Sequence, residues 1–285
     1  MIYKLTKIKI DIKKRMSWSL RGKNILVTGG SKGIGYAVVN ELCALGAKVI
    51  TCSRNVKDLK HCGDEWKSKG FDITVLQADM AKPSDRDKLL QTCHNIFDGK
   101  MHSLVNNVGI NIRKKFIEYN KEEYKKIMNT NLDAAVFLTK NSYAMLQSAS
   151  QSSFKNGKGG ASVVNIGSVG GGCQTAMRSG LPYAMTKASL CQMSYNLAVE
   201  WARDGIRVNT ISPWYINTPL VESVFSDKKL YDAILDRTPM GRVGESDDVS
   251  PIVAFLCMDK SSYITGQNIA CDGAYLRNGF FPNNV

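Results

Sequence analysis

The chain has 285 residues, is 44% hydrophobic and contains 24 Gly and 7 Pro. That is a normal globular composition, large enough for one big core or two modest ones, and no apolar run approaches the roughly 20 residues needed to cross a bilayer. The net charge is +13; residues 1–16 hold six Lys/Arg and one Asp and account for +5 of it, leaving +8, an excess that predicts attraction for anions, while the lack of a basic helix interleaved with aromatics argues against nucleic acid.

Residues 1–16 (MIYKLTKIKIDIKKRM) alternate Ile8, Ile10 and Ile12 with Lys7, Lys9, Asp11 and Lys13. They read as a basic N-terminal extension: an edge strand, a disordered arm or part of a targeting sequence. The Arg/Ser-rich signature of a transit peptide and the apolar core of a signal peptide are both lacking. A cytoplasmic location is expected, with organellar targeting by the extension left open. The folded domain is expected over 17–285. Its first strand is the short apolar run Asn24–Thr28, leading into Gly-Gly. Ile34, Val38, Leu42 and Leu45 then recur at helical spacing, with Gly46 as the stop. The same alternation continues with a strand at 47–52, a helix at 56–69, a strand at 72–77, a helix at 84–97 and a strand at 102–106. One long helix is expected over 121–146, then an exposed polar loop over 147–160 and a strand at 161–166. A helix bearing YAMTK, a strand at 207–212, a helical flap over 217–247 and a last strand at 268–271 complete the reading. Strand–helix alternation throughout predicts a single Rossmann-type doubly wound α/β domain, with about seven parallel strands and helices on both faces. The eight cysteines are dispersed without a C-x-x-C pair; they read as reduced core thiols rather than disulfides or metal ligands.

TGGSKGIG, residues 28–35, lies directly between the first strand and the first helix. Gly29, Gly33 and Gly35 let the backbone turn tightly against a pyrophosphate, and the helix N-terminus aims its amides at that charge. An NAD site needs a carboxylate near the end of the second strand. Residues 48–57 (KVITCSRNVK) contain none; Arg54 stands there instead, and Lys32 lies within the glycine loop. Two converging cations suit a 2′-phosphate, so the cofactor expected is NADP(H). Asp79, after the third strand, is a candidate for the adenine amino group or a helix N-cap.

Ligands of a doubly wound sheet sit beyond the carboxyl ends of the strands, where Ser168 ends the SVVNIGS stretch. Pro182 can start the next helix, with Tyr183 in its first turn and Lys187 one turn on, on the same face. Asn131, mid-helix in MNTNLD, is a poor helix former there and suggests a buried role.

TGGSKGIG, NNVG, Asn131, Ser168 and YAMTK, in this order across nearly the whole chain, resemble the short-chain dehydrogenase/reductase family. WSLRGKNILVTGGSKGIGYAV, TCSRN and FLCMDKSSYITGQ resemble more particularly its tropinone reductase-like branch. The resemblance implies an NADP-dependent oxidoreductase acting on a small-molecule carbonyl or alcohol. Tyr183 would be the general acid, with its pKa lowered by Lys187 and the nicotinamide charge. Ser168 would bond the carbonyl oxygen, Lys187 would also hold the nicotinamide ribose, and Asn131 would pass protons through a water. Ser31, Lys32, Ile34, Ser53, Arg54, Asp79, Met80, Asn107, Gly109 and Pro213 would join the glycines on the cofactor, while Ile216 and Thr218 would meet the carboxamide. The chain departs from the family pattern at Val108, where Ala is usual, at Trp214, where Gly follows Pro, and at Ala274, where a second Gly is usual.

Ile110, Ile112, Trp214 and Tyr215, with Val108 and the flap, are expected to form an apolar substrate pocket beside Ser168. Arg113, Lys114 and Lys115 read first as a solvated run; if Arg113 instead faces the pocket, an anionic or carrier-bound ketone gains over a cationic amine ketone. Three alternatives stand beside the ketone reductase. One is a 3-oxoacyl-(acyl-carrier-protein) reductase with the acidic carrier as partner, another is a non-catalytic NADP-binding sensor or scaffold, and last comes a nucleic-acid binder. The family likeness also implies a homotetramer or homodimer. No metal site is expected. The tail YLRNGFFPNNV is expected to pack over the chain's own site or a neighbour's.

Overall fold

The computed structural model describes residues 18–154, 159–173 and 175–279. Seven parallel strands form one sheet in the order β3-β2-β1-β4-β5-β6-β7: β1 Asn24–Thr28, β2 Lys48–Ser53, β3 Ile73–Gln77, β4 Ser103–Asn106, β5 Ala161–Ile166, β6 Ile206–Pro213 and β7 Asn268–Cys271. Helices α1 Gly33–Ala44, α2 Val56–Ser68, α3 Pro83–Ile96, α4 Lys121–Met128, α5 Ala134–Ser153 and α6 Leu181–Glu200 provide the crossovers. Two flap helices, α7 Glu222–Phe225 and α8 Lys228–Arg237, and α9 Ser246–Cys257 lie between β6 and β7. Strand order reverses between β1 and β4, which leaves a crevice at the carboxyl ends of those strands.

Alternate strand residues serve opposite faces of the sheet. Ile25, Val27 and Val49 enter one core with Val38, Leu42, Trp66, Val249, Val253 and Leu256. Leu26 and Ile50 enter the other with Leu89, Leu104, Leu138, Val163 and Val208. Each fully buried aliphatic side chain contributes about 1.5–3 kcal/mol, so two filled faces hold the strand ends in register. The flap has its own small core of Val224, Ile234 and Val243 under Trp214, Tyr215 and Phe225.

Three sequence expectations change. The helix expected over 121–146 is broken by a π-helical turn at Asn129–Asp133. The exposed loop expected over 147–160 is helical as far as Ser153. Its serines satisfy themselves against backbone: Ser152 and Ser153 hydroxyls donate to Ala149 O at 2.7 and 2.9 Å, and Ser150 donates to Asp204 O at 2.7 Å. Serine content alone therefore misleads there. Helix α9, absent from the sequence reading, starts at a capping box between Glu245 and Asp248 despite the internal Pro251. The basic extension and Phe280–Val285 lie outside the described residues. Every cysteine is free, six of them buried; burial pushes the Cys43 and Cys52 thiols up to about 12.

Candidate active site

A cleft of about 1220 Å³ runs across the carboxyl ends of the strands. At one end β1 delivers Thr28 to the glycine loop. Gly29 and Gly30 amides donate to Cys52 O at 3.0 and 3.2 Å, which ties the loop to β2. Ser31 Oγ donates to Ser53 Oγ at 2.8 Å, a second tie. Gly33 adopts φ +53, and a Cβ there would stand 2.9 Å from the Thr218 methyl, so the loop meets the flap without room for a side chain. A Cβ on Gly35 would stand 2.1 Å from Gly29 O. Gly35 does not line the cleft; it lets α1 approach its own loop. Helix α1 has no side-chain N-cap and no acid in its first turn, so its leading amides and positive dipole end remain free for an anion.

Gly29, Ser31, Lys32, Gly33, Ile34, Ser53, Arg54, Asp79 and Met80 all line this part of the cleft. Asp79 is not an N-cap: Oδ1 accepts from Ala81 N at 3.1 Å, and Lys82 holds the N-cap position of α3. Asn107 lines the cleft, yet its Nδ2 donates to Thr28 O and Gly29 O at 3.0 and 3.1 Å. It braces the loop from β4. The two cations expected to converge are separated by chemistry: Lys32 Nζ is bound 2.7 Å from Asp58 Oδ2, whereas Arg54 makes no ion pair among the described residues. Asp58, also a lining residue, sits one position beyond the acid-free stretch 48–57, in the first turn of α2, where carboxylates are favoured.

At the other end, α6 starts after Gly180 at φ +80, with Pro182 at its second position, placing Tyr183 in the first turn. Ser168 N-caps a short irregular turn, its Oγ accepting from Gly170 N at 3.1 Å. Lys187 is 3% exposed, and Nζ donates to Ile166 O at 2.7 Å, at the end of β5. Burial lowers its pKa to about 8. Its Nζ lies 5.5 Å from the Tyr183 ring centroid. Burial raises the Tyr183 pKa above the usual 10, with Ser168 and the Arg113 charge pulling the other way. Ser168, Tyr183, Lys187 and Gly109 line the cleft.

Asn131 is buried behind the cleft rather than on it. Its Oδ1 accepts from Ile110 N at 2.8 Å and its Nδ2 donates to Ile110 O at 2.9 Å and Thr186 Oγ1 at 3.3 Å. The π-helical turn carries it there, and such turns recur at functional sites. A Cβ built on Gly109 would lie 3.5 Å from Lys187 Nζ and 3.7 Å from Asn131 Oδ1, so this glycine sits close to both polar groups.

Pro213, Trp214, Tyr215, Ile216, Thr218 and Ile110 line the substrate end; Ile112 does not. The backbone carbonyl of Ile112 accepts from the Tyr119 hydroxyl instead. Trp214 is fixed by neighbours on two sides. Its ring stacks on Tyr275 at 3.7 Å and 8°, and Nε1 donates to Thr238 Oγ1 at 3.2 Å. Tyr275 lines the chain's own cleft. The 175–179 segment, Val221, Val224 and Leu230 also line it; they had no sequence signal beyond the apolar character of the flap.

Comparison with known proteins decides the family. A model described as enoyl-(acyl carrier protein) reductase matches residues 29–275, and a tropinone reductase homolog of Arabidopsis thaliana is 47% identical over 263 residues, covering 92% of this chain and 96% of that one. The chain belongs to the short-chain dehydrogenase/reductase family. It is an oxidoreductase of alcohol and carbonyl groups, similar in sequence to tropinone reductase homologues. A putative short-chain alcohol dehydrogenase from Sinorhizobium meliloti superposes with a TM-score of 0.84 at 28% identity, covering 92% of this chain and 99% of that chain. A gluconate 5-dehydrogenase from Burkholderia cenocepacia in complex with NADP and tartrate does so with 0.79 at 26%, covering 92% and 98%.

Proposed function

We propose that the chain is an NADP(H)-dependent carbonyl reductase and alcohol dehydrogenase in which Tyr183 is the general acid. The carrying observation is the Ser168–Tyr183–Lys187 group at one end of a cleft whose other end is a glycine loop under an uncapped helix. The donor set suits a dinucleotide: free α1 amides for the pyrophosphate, Arg54 for a 2′-phosphate, Asp79 for the adenine, and the Ile216–Thr218 wall for the carboxamide. NADP in a structural neighbour supports the choice of cofactor, and Asp58 does not oppose it because Lys32 neutralises it.

When bound, the nicotinamide supplies the hydride that reaches the carbonyl carbon. Tyr183, kept protonated by burial, gives its proton to the carbonyl oxygen, yielding the alcohol. Ser168 orients that oxygen by a hydrogen bond. Lys187, held by Ile166 O, would also hold the nicotinamide ribose, and its charge would favour the phenolate left on Tyr183. Asn131 holds the Ile110 backbone and would pass protons to the phenol through a water. A homo-oligomer is the assembly we favour: Phe137 on α5 and Leu181, Met185, Tyr195 and Val199 on α6 remain exposed. No helix among the described residues is long and apolar enough to cross a membrane, and a cytoplasmic site of action is part of the proposal.

Positioned acid catalysis is worth roughly 10²–10⁴-fold. Tyr183→Phe is expected to lower kcat on any accepted ketone by about that factor, measured by NADPH absorbance, with NADPH binding retained. Wild-type turnover in Tyr183→Phe would falsify the assignment.

A further inference from the structure

We propose that the substrate end of the cleft takes a ketone bearing a carboxylate, held by Arg113; this rests on the reductase reading above. Charge is distributed unevenly along the cleft. Its two lining carboxylates, Asp58 and Asp79, follow β2 and β3 beside the glycine loop, whereas Arg113 after β4, and Arg178 and Lys187 on either side of Tyr183 in the chain, add lining cations. The basic run after β4 is split by the fold. Lys114 turns away to pair with Glu123, and Lys115 is exposed. Arg113 is half-buried and lines the cleft.

One guanidinium donor, Nη1, is used on Leu220 O at 3.0 Å, which fixes Arg113 against the flap. The planar fork has five donors in all, and no carboxylate pairs with it among the described residues. Arg113 lines the same cleft as Tyr183 and Tyr215, and its charge pulls both phenols downward against burial. A fixed, partly desolvated guanidinium with spare parallel donors matches a carboxylate bidentately. Ile110, Trp214, Leu220 and Val224 offer apolar surface to the carbon skeleton between the two polar ends. The substrate class is therefore an oxo acid with a short apolar spacer. A cationic amine ketone would set like charge against Arg113, which disfavours it.

The test uses the purified full chain with NADPH, a series of straight-chain oxo acids and their methyl esters. The wild type is expected to favour the acid at its best chain length. Arg113→Met is expected to lower the acid-to-ester ratio of kcat/KM by roughly 10–100-fold, the usual worth of a charge-assisted pair, and Arg113→Lys to keep part of the ratio. Loss of the Leu220 contact affects both members alike, so the ratio isolates the charge. An unchanged ratio in Arg113→Met overturns the proposal. Should that variant not fold, an equal or higher kcat/KM for the ester at every chain length of the wild type overturns it. If neither acid nor ester is reduced, the reductase reading is tested separately by the Tyr183→Phe comparison on any accepted ketone, and tryptophan fluorescence still reads the anion site. Saturable quenching by the acids alone, lost in Arg113→Met, upholds it; its absence from the wild type overturns it.

Discussion

The two ends of the cleft are assembled by different means. The glycine-loop end is mostly backbone: Gly29 and Gly30 amides on Cys52 O, Gly35 packed under Gly29 O, and the Asn107 amide clasping Thr28 and Gly29. The substrate end is mostly side chain, drawn from the loop after β4, the 175–179 segment, the flap and Tyr275. The difference teaches that cofactor recognition is set by where the sheet ends, whereas substrate recognition depends on which side chains the loops turn inward.

This contrast is breakable. The largest effect expected outside the proton donor is at Gly35. An added Cβ would strike backbone oxygen at 2.1 Å, so Gly35→Ala must displace α1. A stability loss of about 1–3 kcal/mol, read as a lower urea midpoint, should accompany weaker NADPH binding. Gly63 is the comparison: its Cβ would meet only the Val75 side chain at 3.2 Å, and Ala is expected to be tolerated within about 1 kcal/mol. At the intermediate level, Arg54→Ser should weaken NADPH by roughly 10-fold and leave NADH nearly unaffected, as measured by isothermal titration. Equal weakening of both cofactors would remove Arg54 from the 2′-phosphate. The smallest effect concerns Asp58. An exposed ion pair is worth about 0.2–1 kcal/mol, so Asp58→Asn, by freeing Lys32, should tighten NADPH by no more than about 5-fold; weaker binding would show that Asp58 holds the cofactor itself.

Much was legible before the fold was known. Strand β1 and the glycine loop were readable because a short buried strand followed by Gly-Gly and a helical period is a local pattern. The Tyr183–Lys187 spacing was readable because one helical turn puts them on one face. Asn131 stood out as a poor helix former, but the π-helical turn that carries it to Ile110 was not legible. Serine-rich residues 147–153 suggested a loop because the hydroxyl partners that make helix tolerable appear only once Asp204 and the preceding turn are in place. Asp58 escaped because the acid was sought in the strand and its end, while this one arrives from the next helix.

The sequence by itself determined a parallel, doubly wound sheet, a nucleotide-binding bend at β1 and a phenol with an ammonium one turn away. Those features follow from periodicity and from glycine and proline chemistry, which act over a few residues. Only the tertiary structure decided that Arg113 faces the cleft while Lys114 leaves it, that Lys32 is engaged by Asp58, and that Trp214 stacks under Tyr275. The direction of a loop side chain is set by partners distant in the chain: Leu220 for Arg113 and Tyr275 for Trp214. No local pattern encodes such partners.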